Sequence, residues 1–326
     1  MKWCLIPPVL RIAKELANKY GYLEYMIHRY VKFLGVEETK ALLEANERPL
    51  IPSIRINTIK ISVKAMKNRL QEKDIKLSPV KWIPEGFRIS HSPHNLGSLH
   101  EFLQGYFYLQ QVASMIPPLI LRPNKEDLVV DMCAAPGGKS THLTQLMENK
   151  GRLILLEKDA ERIAPLVVNL RRMGCSNALV LHRDATNMDF LEQPADKILL
   201  DAPCTGEGLI PEDPSRKTSK TQEDLKLMSS VQKRLLHSGL TALRPGAILA
   251  YSTCSIAPEE NEFVIDEVLK RHPRCHVKNL PHEYGDPGLT SALGRDLHPD
   301  LKHSQRLYPH KHGTIGFFLC LLEKTP

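Results

Sequence analysis

Apolar positions follow helical spacing through the first 50 residues. The stretches IAKELANKY, LEYMIHRYVKFLG and VEETKALLEAN place apolar residues three and four positions apart, which predicts amphipathic helices with Gly35 as a stop. Residues 51–105 show a different pattern, with the strand-like IRINTI, the helical VKAMKNRLQEKD and short strand-like segments around LSPVKWI and GFRIS. This β-α-β-β order predicts a small open-faced sheet after the helices.

From residue 106 onwards, short apolar runs alternate with helical patterns. The runs are LVVDM (128–132), RLILLE (152–157), ALVLHRD (178–184), KILLD (197–201) and AILAYST (247–253). Nearly continuous apolar runs are typical of strands that are covered on both faces in a parallel sheet. Helical patterns such as AERIAPLVVNLRRM lie between them, so the sequence predicts an α/β fold with a doubly wound sheet. The predicted regions are 1–50 (helical), 51–105 (small sheet) and 106–326 (doubly wound domain).

Polar side chains stand where the predicted strands end. In open parallel sheets, ligands bind at the carboxyl ends of the strands. One polar residue at such a position carries little information, but several that converge on one edge indicate a site. The residues at these strand ends are four carboxylates and a thiol: Asp131, Glu157, Asp184, Asp201 and Cys254.

A glycine-rich turn, CAAPGGK (133–139), follows the first of these strands. Its paired glycines let the backbone approach a ligand closely, and the helix start that follows offers free N–H groups. Cys133 stands where a P-loop needs its first glycine, and the dinucleotide pattern G-x-G-x-x-G is absent. Glu157 is placed to accept hydrogen bonds from ribose hydroxyls, and Asp184 to reach an adenine amine. These positions favour S-adenosylmethionine as the ligand; a purely structural glycine turn is the alternative.

The chain contains seven cysteines, an odd number, widely spaced and without a C-x-x-C pair. This pattern argues against a disulfide framework or a zinc knuckle and favours the reducing cytoplasm. Cys204 and Cys254 follow two predicted neighbouring strands, close to Asp201, so a chemical role is expected for them. An isolated cysteine is usually a small buried apolar residue. We give that interpretation to Cys4, Cys133, Cys175, Cys275 and Cys320.

Three blocks, DMCAAPGGK, DAPCTGEG and YSTCSIAPEENE, resemble signature segments of the Sun-family (NSUN-type) RNA cytosine-5 methyltransferases, which use S-adenosylmethionine. RINT, GYFYLQQVAS, LRPGA and RLYPHKHGTIGFF extend the resemblance over roughly residues 51 to 320. It implies a Rossmann-type methyltransferase domain preceded by a helical and RRM-like RNA-binding region. Glu157 stands where the family often has aspartate, Ala247 replaces a glycine of a common PGG turn, and GTIGFF has a glycine where an acidic residue often precedes GFF. None of these departures touches the implied chemistry.

Carried over by position, the resemblance also implies residue roles. Cys254 would be the nucleophile that adds to carbon 6 of cytosine and so activates carbon 5, and Cys204 would release the product. Asp201 would hydrogen-bond the N3 and amino edge of the base, with Lys139 orienting both. The residues implied to bind S-adenosylmethionine are Cys133, Ala134, Ala135, Pro136, Gly137, Gly138, Lys139, Glu157, Arg162, Asp184 and Asp201.

Charge points to a polyanionic partner. Lys and Arg number 44 against 37 Asp and Glu, and the whole surplus of +7 lies in residues 1–105, which hold 17 basic and 10 acidic residues. This distribution favours RNA binding by that region, although an ordinary basic surface is the alternative. The candidates for phosphate contacts are Arg55, Lys60, Lys64, Lys67 and Arg69.

Neither a membrane nor a metal is expected as a partner. No apolar run approaches the length of a membrane span, and Pro7 and Pro8 interrupt the short N-terminal one, so we expect no signal peptide. His303, His310 and His312 have no cysteine or carboxylate at ligand spacing. We therefore expect a cytoplasmic, monomeric protein whose partner is RNA.

Three functional alternatives remain open at this level. The compact N-terminal region suits a structured RNA such as tRNA, with rRNA as the second possibility. A non-catalytic RNA-binding or assembly factor on a methyltransferase scaffold would have no need of Asp201, Cys204 and Cys254 together. An amino-group methyltransferase would carry (N/D)-P-P-(Y/F) after the fourth strand, where this chain has DAPC.

Overall fold

The computed structural model describes residues 8–326, so Cys4 lies outside the described residues. Its first part contains helices α1 (Pro8–Tyr20), α2 (Glu24–Leu34) and α3 (Val36–Asn46), in the places that the apolar spacing predicts. Met26, Ile27 and Tyr30 of α2 are fully buried. The cluster they form also contains Ile210, Ile256 and Tyr308. The helical region is therefore packed directly on the segments that follow the later strands.

The small sheet has the β-α-β-β-α-β connectivity of an RRM-like unit. Its elements are β1 (Ser53–Ile56), α4 (Val63–Gln71), β2 (Lys76–Val80), β3 (Ile83–His91), α5 (His100–Leu103) and β4 (Phe107–Leu109). The strands pair antiparallel in the order β2-β3-β1-β4. Strand β4 belongs to the small sheet because Phe107–Leu109 pairs with β1, although it lies beyond the predicted boundary at residue 105. That boundary stays a prediction.

The large sheet has a parallel core in the order β7-β6-β5-β8-β9. These strands are β5 (Leu128–Asp131), β6 (Arg152–Glu157), β7 (Ala178–His182), β8 (Ala195–Asp201) and β9 (Leu243–Thr253). Val129 and Val130, neighbours on β5, belong to different hydrophobic clusters, as expected for a strand covered on both faces. The covering helices are α6 (Val112–Leu121), α7 (Gly138–Leu146), α8 (Ala160–Met173), α9 (Gln222–Ala242) and α10 (Glu262–Leu269).

Beyond β9 the sheet becomes antiparallel, which the sequence did not predict. Strand β15 (Phe317–Lys324) pairs antiparallel with β9 and covers the edge that β9 would otherwise expose. Strands β10 (Cys275–Lys278), β11 (Asp286–Pro287) and β14 (Gln305–Leu307) complete this side. The short β12 (Ser291–Ala292), β13 (Arg295–Asp296) and α11 (Pro309–His312) lie in the connections. Within residues 8–326 no helix is long and apolar enough to cross a bilayer.

Arg55 does not contact solvent, so its predicted role in binding phosphate is wrong. Its guanidinium donates to Gly138 O at 2.7 Å, to Thr141 Oγ1 at 2.8 Å and to Gln110 Oε1 at 2.9 Å. Lys60 is likewise engaged, donating to Gln104 O and Arg172 O. Both side chains join the small sheet to the large domain. Sequence position gave no sign of this, because an arginine on a short strand is more often exposed than buried.

Arg55→Met is expected to lower the free energy of unfolding by about 3 kcal/mol, since it removes charge-assisted hydrogen bonds and leaves buried oxygens without a donor. Urea unfolding measures the change. Lys64→Met, at an exposed position of α4, is the matched control and should change stability by less than about 0.5 kcal/mol. Equal effects of the two substitutions would contradict the structural role of Arg55.

Candidate active site

The carboxyl ends of the parallel strands bring the predicted polar residues to one edge. Asp131, Glu157 and Asp201 end β5, β6 and β8, while Asp184 follows β7 and Cys254 directly follows β9. Because these five strands are parallel, the five residues lie along the same edge of the sheet.

Lys139 and Asp201 form an ion pair at the centre of this edge. The Lys139 Nζ to Asp201 Oδ2 distance is 2.6 Å, and Ser252 Oγ donates to Asp201 Oδ1 at 2.7 Å. Burial would lower the pKa of Lys139, but Asp201 outweighs it and the pKa is raised. Lys139 therefore stays charged and holds the carboxylate in one orientation. Ser252 was not predicted, although a serine within an otherwise apolar strand, two positions before Cys254, was a usable signal.

The two strand-end cysteines face each other beside this pair. Cys204 Sγ lies 3.1 Å from Cys254 Sγ, and both residues are partly buried. The hydrogen bond to Cys254, together with burial, raises the pKa of Cys204 well above its usual range. The loops are also joined by their backbones, because Gly208 N donates to Cys254 O at 2.9 Å. A Cβ at residue 208 would lie 2.7 Å from that oxygen, so this close approach requires glycine.

The other cysteines within the described residues are free thiols away from this pair. Burial raises the pKa of Cys133, Cys175, Cys275 and Cys320, which keeps them protonated and unreactive. Their interpretation as inert residues agrees with these surroundings. Cys133 additionally lines the cavity described below.

The glycine-rich turn connects β5 to α7. Gly137 has φ +103°, a conformation that favours glycine, and Gly137 N donates to Ala134 O at 2.8 Å. Ser140 Oγ donates to Asp131 Oδ2 at 2.7 Å and so fastens the start of α7 to the end of β5. With Arg55 bonded to Gly138 O, the turn is held from both sides.

Glu157 and Arg162 brace this turn. Glu157 accepts from Ala135 N at 3.2 Å and from Asp159 N at 2.9 Å, and Arg162 donates to Ala135 O at 2.7 Å. Asp184 lies farther along the edge, bonded to Lys158 at 2.7 Å. Partial burial would raise the pKa of Asp184, but hydrogen bonds from Lys158 and Thr186 lower it to about 2. Asp184 is therefore ionised and able to accept a hydrogen bond.

A cavity of about 470 Å³ opens beside the turn. From the predicted site it brings together Cys133, Ala134, Ala135, Pro136, Gly138, Lys139 and Asp201. Its lining does not include Gly137, Glu157, Arg162 or Asp184, nor the two facing cysteines, Cys204 and Cys254. Other lining residues come from the end of the small sheet and from the segment after Cys204, which the sequence did not assign to the site: Tyr108, Gln110, Gln111, Leu209 and Glu212. The volume is in the range of cavities that hold small ligands.

An arginine of the helical region reaches the two cysteine loops. Arg29 of α2 is buried and pairs with Glu207 at 2.7 Å and with Glu259 at 2.6 Å. Glu207 follows Cys204 in sequence, and Glu259 follows Cys254. The helical region therefore ties the two loops to each other, a role with no signal in the sequence.

Two buried carboxyl groups flank the thiols and the ion pair. Burial raises the pKa of Asp131 to about 7, with a further contribution from the charge of Asp201. Burial likewise raises the pKa of Glu260 to about 7, against the opposing effect of hydrogen bonds from Ser255 and Thr205. Both groups titrate close to neutral pH.

Glu260→Gln is expected to gain stability relative to wild type as pH rises. The raised pKa means that the folded protein holds the proton of Glu260 more tightly than the unfolded chain. The resulting stabilisation is complete below the unfolded pKa near 4.5 and is lost as pH rises through 7. The difference in unfolding free energy between variant and wild type should shift by roughly 3 kcal/mol between about pH 4.5 and pH 8.5. Urea unfolding at both values measures it; a constant difference would contradict the assignment.

Within residues 8–326 no group of three or more His, Cys, Asp or Glu side chains is placed to hold a metal ion. His310 Nε2 lies 2.9 Å from Glu38 Oε2, and Tyr308 N donates to His312 Nδ1 at 2.9 Å. These two histidines thus have partners within the fold.

Comparison with known families agrees with this geometry. Residues 118–323, well over half of the chain, match the family described as 16S rRNA methyltransferase RsmB/F. The chain belongs to the RsmB/F methyltransferase family. Residues 24–112 match the N-terminal domain of 16S rRNA methyltransferase RsmF, so the family match extends over α2, α3 and the small sheet.

Individual relatives of this RsmB/F family member include proteins named for different RNAs. It is 35% identical over 321 residues to the 28S rRNA (cytosine-C(5))-methyltransferase of Mus musculus, covering 96% of this chain and 40% of the mouse protein. It is 36% identical over 303 residues to the tRNA (cytosine(49)-C(5))-methyltransferase of Pyrococcus abyssi, covering 92% of this chain and 95% of that protein. The chain thus spans about two fifths of the mouse relative's length. These relatives confirm the resemblance to RNA cytosine-5 methyltransferases.

The fold prediction is confirmed by a solved structure. The crystal structure of a methyltransferase homolog protein from Pyrococcus horikoshii matches with a TM-score of 0.88 and 39% sequence identity. The match covers 98% of this chain and 100% of that one. The Rossmann-type sheet and the N-terminal regions therefore occur together in both proteins.

Proposed function

We propose that this chain transfers a methyl group from S-adenosylmethionine to carbon 5 of cytosine in RNA. The observation that carries the proposal is the 3.1 Å contact of Cys204 and Cys254 beside the Lys139–Asp201 ion pair. A cytosine needs a nucleophile at carbon 6 and a polar partner at its N3 edge for this reaction, and the site offers both. A non-catalytic scaffold would not require this combination.

Cys254 is the proposed nucleophile because Cys204 keeps its proton. The contact with Cys254 and burial raise the pKa of Cys204 well above its usual range, so Cys204 holds its proton and Cys254, 3.1 Å away, is assigned the attack. The Cys254 sulfur forms a bond to carbon 6, and the electrons of the 5,6 double bond move into the ring. Carbon 5 of the resulting adduct is then an enamine carbon and nucleophilic enough to accept a methyl group.

Asp201 is the proposed contact for the base edge. Each of its carboxylate oxygens is oriented by one hydrogen bond, from Lys139 or from Ser252, and each keeps another lone pair for the base. A carboxylate held in this way accepts a hydrogen bond from the amino group of cytosine and can share a proton with N3. Because its orientation is fixed before the base arrives, little reorganisation is needed during the reaction.

The residues around the turn fit an S-adenosylmethionine site. The glycine turn leaves open backbone beside the cavity, and at the same edge Glu157 ends β6 and Asp184 follows β7. Residues 133–139 would hold the ligand together with Glu157, Asp184 and Asp201, while Arg162 supports the turn. When bound, S-adenosylmethionine supplies the methyl group that carbon 5 receives.

Product release requires loss of the proton on carbon 5. Its bonding electrons re-form the 5,6 double bond, the bond from carbon 6 to sulfur breaks, and its electrons return to Cys254. Once Cys254 is bonded to the base, its hydrogen bond no longer contributes to the raised pKa of Cys204, and burial is the main cause that remains. Cys204 then gives its own proton to solvent and accepts the proton from carbon 5.

The proposed substrate is tRNA. The P. abyssi relative named for tRNA is matched over nearly its whole length, whereas the mouse 28S rRNA relative is matched over less than half. We assign RNA binding to regions 1–50 and 51–105, and the methyltransferase chemistry to region 106–326. Lys64, Lys67 and Arg69 on α4 are exposed and remain the candidates for phosphate contacts. A cytosine within a stem must leave its stack to reach Cys254 and Asp201.

The test is methylation by the purified protein with labelled S-adenosylmethionine, using unmodified tRNA and rRNA in separate reactions. Digestion to nucleosides should show 5-methylcytidine from tRNA. Cys204→Ala should release little product and accumulate a protein–RNA adduct that survives a denaturing gel. If 5-methylcytidine formed from rRNA alone, rRNA would replace tRNA as the proposed substrate. Methylation of neither RNA would overturn the proposed activity.

A further inference from the structure

A fully buried carboxyl group joins the two cysteine loops. Glu260 accepts from Thr205 N at 2.8 Å and from Thr205 Oγ1 at 2.6 Å. Thr205 directly follows Cys204, so the residue next to this thiol is held through both its backbone and its side chain. Gln232 of α9 donates to Glu260 at 3.2 Å and to Pro203 O at 2.8 Å, which fixes the residue on the other side of Cys204.

Glu260 belongs to the segment that carries Cys254. It lies in the short turn Pro258–Glu260 after β9, and Tyr251 OH of β9 donates to Glu260 O at 2.7 Å. The position of the Cys204 loop is therefore set from the strand that leads to Cys254. Burying a carboxyl group costs free energy that an apolar residue would not. Its carboxylate oxygens accept hydrogen bonds from the backbone and hydroxyl of Thr205 and from Gln232.

We propose that Glu260 is a positioning residue for Cys204, and that product release depends on it more than nucleophilic attack does. This inference rests on the proposed function. Glu260 contacts neither thiol; it fixes the Cys204–Thr205 peptide and so the place of the Cys204 sulfur over Cys254. Cys254 itself follows β9, whose position is set by pairing with β8 and β15. Loss of the carboxyl group therefore leaves the nucleophile in place while the releasing group moves.

The experiment measures turnover and adduct on the same RNA for wild type, Cys204→Ala, Glu260→Ala and Glu260→Gln. Glu260→Ala should lower turnover about tenfold or more, because small displacements of a reacting group have effects of this size. It should also accumulate the denaturation-resistant adduct, as Cys204→Ala does. Glu260→Gln keeps an oxygen for Thr205 N–H and an amide that can donate to the Thr205 hydroxyl. It should restore most of the turnover and leave little adduct.

Two further variants separate positioning from general damage. Asp266→Ala removes a buried carboxyl that accepts from His298 N, in α10 and away from the Cys204 loop, and should not accumulate adduct. Thr205→Ala removes the hydroxyl contact alone and keeps the inference testable if Glu260→Ala does not fold. It should accumulate adduct at intermediate level.

The outcomes separate this inference from the proposed function. If Cys204→Ala forms adduct while folded Glu260→Ala and Thr205→Ala lose turnover without adduct, or lose no turnover, the positioning role is wrong and the proposed function stands. If wild type makes no 5-methylcytidine and Cys204→Ala forms no adduct, both are wrong.

Discussion

Cys254→Ala should methylate cytosine roughly 1000-fold more slowly than wild type, or not measurably, because removing a covalent nucleophile eliminates the pathway rather than one contact within it. The protein should still fold, since Cys254 is only partly buried and alanine fills most of its space. It should also form no adduct with RNA, in contrast to Cys204→Ala. The measurement is single-turnover formation of 5-methylcytidine together with a denaturing gel.

A matched thiol controls for this substitution. Cys175→Ala removes a half-buried cysteine that follows α8 and belongs neither to the cysteine pair nor to the cavity lining. This variant should retain the activity of wild type. If Cys254→Ala kept full activity, or if it formed the adduct and Cys204→Ala did not, the two thiols would have to exchange roles.

Asp201→Asn should lower kcat roughly 100- to 1000-fold, the usual effect of removing one preorganised polar contact to developing charge. Asparagine keeps the shape of the side chain and can still bond to Lys139 and Ser252, so folding should be retained. The amide, however, can neither share a proton with N3 nor hold the charge of the ion pair. Adduct formation should therefore fall together with product, which distinguishes this variant from Cys204→Ala.

A binding measurement distinguishes a slower reaction of Asp201→Asn from loss of S-adenosylmethionine binding. Binding of S-adenosylmethionine to Asp201→Asn, measured by calorimetry, should remain detectable while the rate falls. If the variant turned over at the wild-type rate, Asp201 would not contact the base edge. If the variant no longer bound S-adenosylmethionine, the role of Asp201 would instead be to bind the cofactor.

The central strands of the large sheet could be predicted because they are buried on both faces, whereas β7 at its edge is only partly buried and exposes Leu179. A strand such as β6 must be apolar at almost every position, so its run of three leucines and one isoleucine ends abruptly at Glu157. The same break marks Asp131 and Asp201. The sheet edge that carries the chemistry could therefore be located from the pattern alone.

Contacts between distant segments could not be predicted in this way. Arg29 and Arg55 have no local pattern that separates a buried, paired arginine from an exposed one, and their partners lie in other regions of the chain. Strand β15 is as apolar as the parallel strands. Its antiparallel direction depends on the path of the chain from β14, with which it pairs antiparallel. Helix α9 begins with a polar stretch, and polar residues such as Ser229 and Gln232 lie among its buried positions, so its apolar pattern is weak.

Strand β15 is synthesised after every strand that it joins. While the nascent chain is still shorter than about 317 residues, β9 has an open edge and Lys139 lacks Phe317, whose ring lies 5.6 Å from its Nζ. A ribosome that stalls in this interval presents an unpaired apolar edge of the kind that chaperones and proteases recognise. Truncated chains are thus exposed to quality control before the catalytic edge is complete.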